Sequence, residues 1–205
     1  MTDRKQHWEQ VYTSKSSLEV SWYQAEPRLS LELIEHSGIG RDAPIIDVGG
    51  GASVLVDRLQ EAGYRRLAVL DISGAALATA RERLGPQAAG IEWYEADVTQ
   101  FTAPHAFTLW HDRAVFHFLT DAGDRRHYVQ VLKQTLVPDG HVVIAAFAIG
   151  GPTRCSGLDI VQYDAAKLLT ELGTDFRLVE ELSETHRTPA GKDQQFNFFR
   201  LRRVG

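Results

Sequence analysis

Three carboxylates and a glycine run carry the first chemical signal in this chain. The stretch APIIDVGGGAS, residues 43–53, ends an apolar run in Asp47 and then places Gly49, Gly50 and Gly51 after Val48. Asp71 closes a second apolar run, RLAVLDI at 66–72, and Asp97 closes a third, IEWYEAD at 91–97. A carboxylate has two acceptor oxygens, enough to clamp a vicinal diol or to face an ammonium group. Consecutive glycines let backbone approach a ligand closely and aim the next helix's N-terminus at it. Each acid also has a plainer reading: Asp71 could cap the helix that starts near Ser73, and Asp97 could shape a turn.

A fourth signal lies in LWHDRAVFHFLT, residues 109–120, where Asp112 and Arg113 stand between apolar neighbours with His111 and His117 on either side. Charges in such a setting need a partner or a ligand. One reading pairs Asp112 with Arg113 internally and treats the histidines as packing residues. The other makes a substrate site, with Arg113 binding an anionic or polar group, Asp112 near the reacting atom and His117 as general base. His105, His111 and His117 follow no compact ligand spacing, so no metal site is expected.

The elements that must position these residues alternate regularly. Apolar runs at 44–48, 66–72, 91–97, 106–112 and 141–149 read as strands. Helical spacing covers 54–63, 73–85 with Ser73 as N-cap, 121–140 closed by Pro138 and Gly140, and 164–173. Two further strands, 176–183 and 195–203, have no helix between them. The order predicts an α/β fold: a doubly wound, mostly parallel seven-stranded sheet, helices on both faces, and a C-terminal antiparallel hairpin. Residues 1–40 fall outside the pattern; Trp8, Val11, Tyr12, Trp22 and Tyr23 mark an aromatic segment that reads as a lid or a cap. The 205 residues suit one domain, with a core at 43–147 and a substrate-side loop and hairpin at 148–205.

In doubly wound sheets, ligands bind outside the carboxyl ends of the strands, where the glycine run sits. A phosphate loop would need Gly-Lys-Ser/Thr, but Gly51 is followed by Ala52 and Ser53. A dinucleotide fingerprint would need a glycine where Val54 stands. IIDVGGGAS instead resembles motif I of the class I S-adenosylmethionine-dependent methyltransferases, Asp-x-Gly-x-Gly-x-Gly, with Ser53 in place of the third glycine. VLDIS, EADVT and LVPDGH resemble further motifs of that family, in register, over roughly 43–147. The resemblance implies that Asp47 faces the methionine ammonium and that Asp71 holds the ribose hydroxyls. It also implies that Ile72 and Val98 flank the adenine and that Asp97 binds its amino group. HDRAVF is similar to the corresponding segment of small-molecule methyltransferases such as thiopurine methyltransferase.

The expected reaction is methyl transfer from S-adenosyl-L-methionine to a small-molecule acceptor. Trp22, Tyr23, Arg154 and Cys155 are expected on the acceptor side. A protein lysine is the alternative acceptor, because HWEQVY and VSWYQ resemble the entry segment of methyltransferases that modify elongation factors or citrate synthase. A non-catalytic scaffold and an NAD-dependent oxidoreductase are further readings. Net charge of −5 argues against a nucleic-acid or membrane partner. The single cysteine and a start without an apolar leader point to a cytoplasmic protein.

Overall fold

The computed structural model describes residues 2–14, 16 and 19–204; of the N-terminal segment, Met1, Lys15, Ser17 and Leu18 lie outside it. The chain opens with two helices, α1 (Thr2–Ser14) and α2 (Arg28–His36). Five strands and three helices follow: β1 (Ile45–Val48), α3 (Leu55–Glu61), β2 (Leu67–Asp71), α4 (Gly74–Leu84), β3 (Ile91–Glu95), β4 (Phe107–Arg113), α5 (Ala122–Thr135) and β5 (Leu136–Phe147). A two-residue hairpin, β6 (Arg154–Cys155) with β7 (Leu158–Asp159), precedes α6 (Ala165–Leu172), β8 (Phe176–Arg187) and β9 (Asp193–Arg203).

The seven-stranded sheet has the order β3-β2-β1-β4-β5-β9-β8. β1 to β5 are parallel, β9 runs antiparallel to β5, and β8 runs antiparallel to β9. The order turns back between β1 and β4, which opens a cleft at the carboxyl ends of those strands. Side chains alternate across the sheet. Ile45, Leu67, Val69, Leu109 and Val143 pack under α2, α3 and α4, with Leu33, Ile34, Leu55, Leu59 and Leu77. Ile46, Val48, Leu70, Trp110 and Ile144 pack under α5 and α6, with Tyr128, Leu132, Leu168 and Leu172. Among the described residues no helix is long and apolar enough to cross a membrane.

Three segments depart from the sequence expectation. The helix expected over 121–140 stops at Thr135, and 136–140 enters β5. Val137 precedes Pro138, and a residue before proline is pushed out of the helical region, so the chain is already extended at Leu136. Asp139 then takes a left-handed φ of 61°, a conformation Asp tolerates better than most residues. The polar stretch at 150–159 contains the β6–β7 hairpin rather than an open loop. The aromatic N-terminal segment is largely helical; Trp8, Val11 and Tyr12 share one face of α1 through i, i+3 and i+4 spacing.

Candidate active site

The strand ends deliver each acid to a different place. Asp47 is paired in register with His111 on the neighbouring strand, so both side chains leave the same face of the sheet. α2 covers that face and presents Ser30. His111 Nδ1 lies 2.7 Å from Asp47 Oδ1, and its Nε2 lies 2.9 Å from Ser30 Oγ; all three residues are buried. With an ionised Asp47 accepting, Nδ1 carries the proton and Nε2 accepts from the serine hydroxyl. Asp47 Oδ2 remains buried without a partner.

Asp71 accepts the Gly51 amide at 3.0 Å through Oδ2 and the Ser73 amide at 2.9 Å through Oδ1. Burial pushes its carboxyl up to about 6, against those amides, and the charge of Asp47 adds to the rise. Ser73 is the N-cap of α4, accepting from Ala76 N at 3.2 Å, so capping is done by the serine and not by the acid. Asp97 caps the short turn at Val98–Gln100 through Thr99 N at 2.9 Å, while its Oδ2 receives Arg4 of α1 at 3.3 Å.

The glycine run lets these acids sit against backbone. A side chain on Gly50 would overlap Asp47 Oδ2, and one on Gly51 would fall 2.5 Å from Asp71 Oδ2. Gly49 has a φ of 69°, and a Cβ there would overlap Val115. Ser53, where the family carries its third glycine, accepts Leu55 N at 3.1 Å and so supports the start of α3.

A cavity of about 830 Å³ lies over the strand ends. Asp71, Ile72, Asp97 and Val98 line one side of it, and Arg113, Phe147, Cys155 and Phe196 line the other. Trp8 and Tyr12 of α1 border it with Trp22, and Trp8 meets Trp22 and Phe118 edge-on at 5.7 and 5.0 Å. α1 is tied across the opening by Arg4 with Asp97 and Asp124, by Lys5 with Glu95, and by Glu9, which accepts Gly74 N at 2.6 Å. A second cavity of about 570 Å³ adjoins it, bordered by Asp47, Gly49, Gly50, Ser30, His111 and Tyr23. Trp22 and Arg113 border both.

Several expected site residues lie elsewhere. Asp112 follows His111 and therefore points to the opposite face, towards α5. It is fully buried, accepts Tyr128 Oη–H at 2.6 Å and the amides of Val115 at 2.8 Å and Phe116 at 3.0 Å, and lines neither cavity. Burial raises its carboxyl to about 6 against those three hydrogen bonds. The Asp112–Arg113 ion pair does not form, because the two side chains leave opposite faces. His117 is buried outside both cavities, with Phe147 N donating to Nδ1 at 3.5 Å. Burial, with the charge of Arg113, lowers its imidazole to about 3, so it is neutral and a weak base at neutral pH. Arg154 is exposed and pairs with Asp159 at 3.0 Å, away from both cavities. Tyr23 borders only the second of these cavities, whereas Cys155 borders the first and is buried.

A profile described as a methyltransferase domain matches residues 45–140. The matched segment, just under half of the chain, is similar to a methyltransferase domain, in line with the resemblance that its motifs carry. It is 33% identical to Nodulation protein S of Sinorhizobium fredii (strain NBRC 101917 / NGR234) over 102 residues, 49% of this chain and 46% of that protein. The chain thus aligns with about half the length of the curated relatives it matches. The N-methyltransferase NodS from Bradyrhizobium japonicum WM9, solved with S-adenosyl-L-homocysteine, superposes with a TM-score of 0.73 at 20% identity, over 96% of this chain and 98% of that one. A structure described under conversion of a disulfide bond into a thioacetal group during echinomycin biosynthesis superposes with a TM-score of 0.79 at 17% identity, over 98% and 91% of the two chains.

Sequence reading found the acids but missed what holds them. Ser30 and Arg4 lie in helices that the sequence pattern does not reveal, and the sequence offers His111 only as a packing residue or as one of three histidines without metal-ligand spacing. The sole signal for His111 was its place on the strand beside β1, which becomes informative only once the register is known.

Proposed function

We propose that this protein transfers a methyl group from S-adenosyl-L-methionine to a small-molecule acceptor. The observation that carries the reading is Asp71. It is a buried carboxylate on the cavity wall, held by two backbone amides and keeping acceptor capacity for a vicinal diol. The rest of the cleft fits the same cofactor. Asp47 Oδ2 is an unpartnered buried acceptor suited to an ammonium, and the Ser30–His111 pair fixes the other oxygen. Ile72 and Val98 give apolar faces beside Asp97 on the adenine side.

When bound, S-adenosylmethionine supplies an electrophilic methyl on a good leaving group. The chain's own part is to orient the acceptor and exclude water, which the aromatic cover from α1 and Trp22 can do. His117 has neither the basicity nor the position to take a proton from an acceptor in the cavity. The acceptor atom therefore arrives with a free lone pair at the working pH. The cleft is lined mainly by apolar and aromatic side chains with a few polar groups, as small-molecule sites are, and the chain's acidic balance supports no nucleic-acid partner.

The test is release of S-adenosylhomocysteine when the purified protein meets S-adenosylmethionine and a cell extract split into low-mass and macromolecular fractions. The reading expects release above background only with the low-mass fraction. Release confined to the macromolecular fraction would overturn the small-molecule acceptor.

A further inference from the structure

Arg113 is a cation with no direct ion-pair partner; the carboxylates of Glu184 and Asp47 act on it only from a longer distance. It is the last residue of β4, and among the described residues no carboxylate lies within salt-bridge distance of its guanidinium. Nη1 donates to the Trp22 carbonyl at 2.8 Å, while Nε and Nη2 are shielded from solvent and have no hydrogen-bond partner. The guanidinium lies over the Phe196 ring at 5.0 Å, on the β5–β9 side of the cleft and away from Asp71 and Asp97. Burial lowers its pKa to about 10, so it stays charged at neutral pH. A desolvated guanidinium with unmade hydrogen bonds is expensive to keep, and its rigid fork matches a carboxylate in two-point contact. Around it the wall is aromatic and apolar: Trp8, Trp22, Phe118, Phe147 and Phe196.

We propose that the methyl acceptor is an organic acid with an aromatic or apolar body, and that Arg113 binds its carboxylate. This rests on the methyltransferase reading and narrows it. The same charge disfavours a cationic acceptor: a lysine side chain brought here would place an ammonium group against a fixed guanidinium in a poorly hydrated site. The rival source of a carboxylate is the cofactor's own methionine end, because Arg113 also borders the cavity that holds Asp47.

Calorimetry separates these cases. Wild-type protein saturated with S-adenosylhomocysteine is titrated with indole-3-acetate and phenylacetate, and in parallel with their primary amides. Each acid is expected to bind at least about tenfold more tightly than its amide, the ratio that one charge-assisted contact supports. Arg113→Gln is expected to erase that preference while S-adenosylhomocysteine affinity stays within about threefold, with the uncharged Arg113→Met in its place if the glutamine variant does not fold. Equal binding of acid and amide to wild type, or no binding of either, would overturn the proposal and leave the cofactor site standing. A tenfold or larger loss of S-adenosylhomocysteine affinity in Arg113→Gln would overturn it by assigning the arginine to the cofactor. Failure of wild type to bind S-adenosylhomocysteine would instead sink the methyltransferase reading itself.

Discussion

The two sides of the cleft are built on opposite plans. On the β1–β3 side, the proposed cofactor groups are acids, Asp47 and Asp71 buried and Asp97 partly so, and each is held by partners within the fold: Asp47 by His111, Asp71 by Gly51 and Ser73, Asp97 by Thr99. On the β4–β9 side, the proposed binding group is a half-buried cation with two unpartnered guanidinium nitrogens, in a wall assembled from α1, the turn after β4, β5, β6 and β9. A site for one fixed cofactor can be fully organised before binding. A site that leaves its strongest group unmatched is organised around what its ligand brings.

The sharpest way to break that comparison is to remove a group from the organised side. Asp71→Ala is expected to weaken S-adenosylhomocysteine binding by about 100-fold or more, since charge-assisted hydrogen bonds contribute about 1.5–3 kcal/mol each. Gly51→Ala should approach the same loss, because its Cβ would push Asp71 off its amide. Both effects are read by calorimetry, with the thermal midpoint as a control for folding.

Asp112 sharpens the contrast from beneath the sheet. It shares with Asp71 a carboxyl raised to about 6, yet its partners are Tyr128 and two amides rather than a cavity. Asp112→Ala is expected to cost about 2–4 kcal/mol of unfolding free energy in urea, leaving buried donors unmatched. In protein that remains folded, S-adenosylhomocysteine affinity should be little changed. A selective loss of affinity at unchanged stability would place Asp112 in the site after all.

The pH dependence of binding gives a smaller, graded effect. If the ionised Asp71 receives the ribose hydroxyls, affinity is full above about pH 6 and falls towards tenfold per unit below it. The stability term has the opposite sign: a carboxyl raised in the folded state favours folding most below its unfolded pKa, and that contribution is lost as pH rises through about 6. Affinity that stays flat from pH 7.5 to 5 would remove Asp71 from diol binding. The smallest expected effect is at Arg154. Its exposed pair with Asp159 predicts that Arg154→Ala leaves cofactor binding and methyl transfer within about twofold of wild type.

This contrast also explains what could be read from the sequence. The mostly parallel sheet, its antiparallel C-terminal hairpin and the three acids were legible because each acid closes an apolar run and a glycine run follows the first of them, so the signal is local. Strand alternation was enough to send Asp112 away from the cleft, but only once β4 was known to run through Arg113 rather than stop at Asp112. α1 was hidden because its polar residues outnumber its apolar face, although Trp8, Val11 and Tyr12 already carried the spacing. The Ser30–His111–Asp47 arrangement depends on register and on α2 crossing that face, neither of which is written in a single stretch of residues. The same holds for Arg113, whose lack of a direct ion-pair partner is a property of the packed molecule.

The central claim is that the β1–β3 side is a ready-made site for S-adenosylmethionine. Calorimetric titration of S-adenosylhomocysteine into wild-type protein tests it most directly, with NAD titrated in parallel. The account predicts binding in the micromolar range or tighter for S-adenosylhomocysteine and none for NAD. Absence of S-adenosylhomocysteine binding to the folded protein, or tighter binding of NAD, would contradict it.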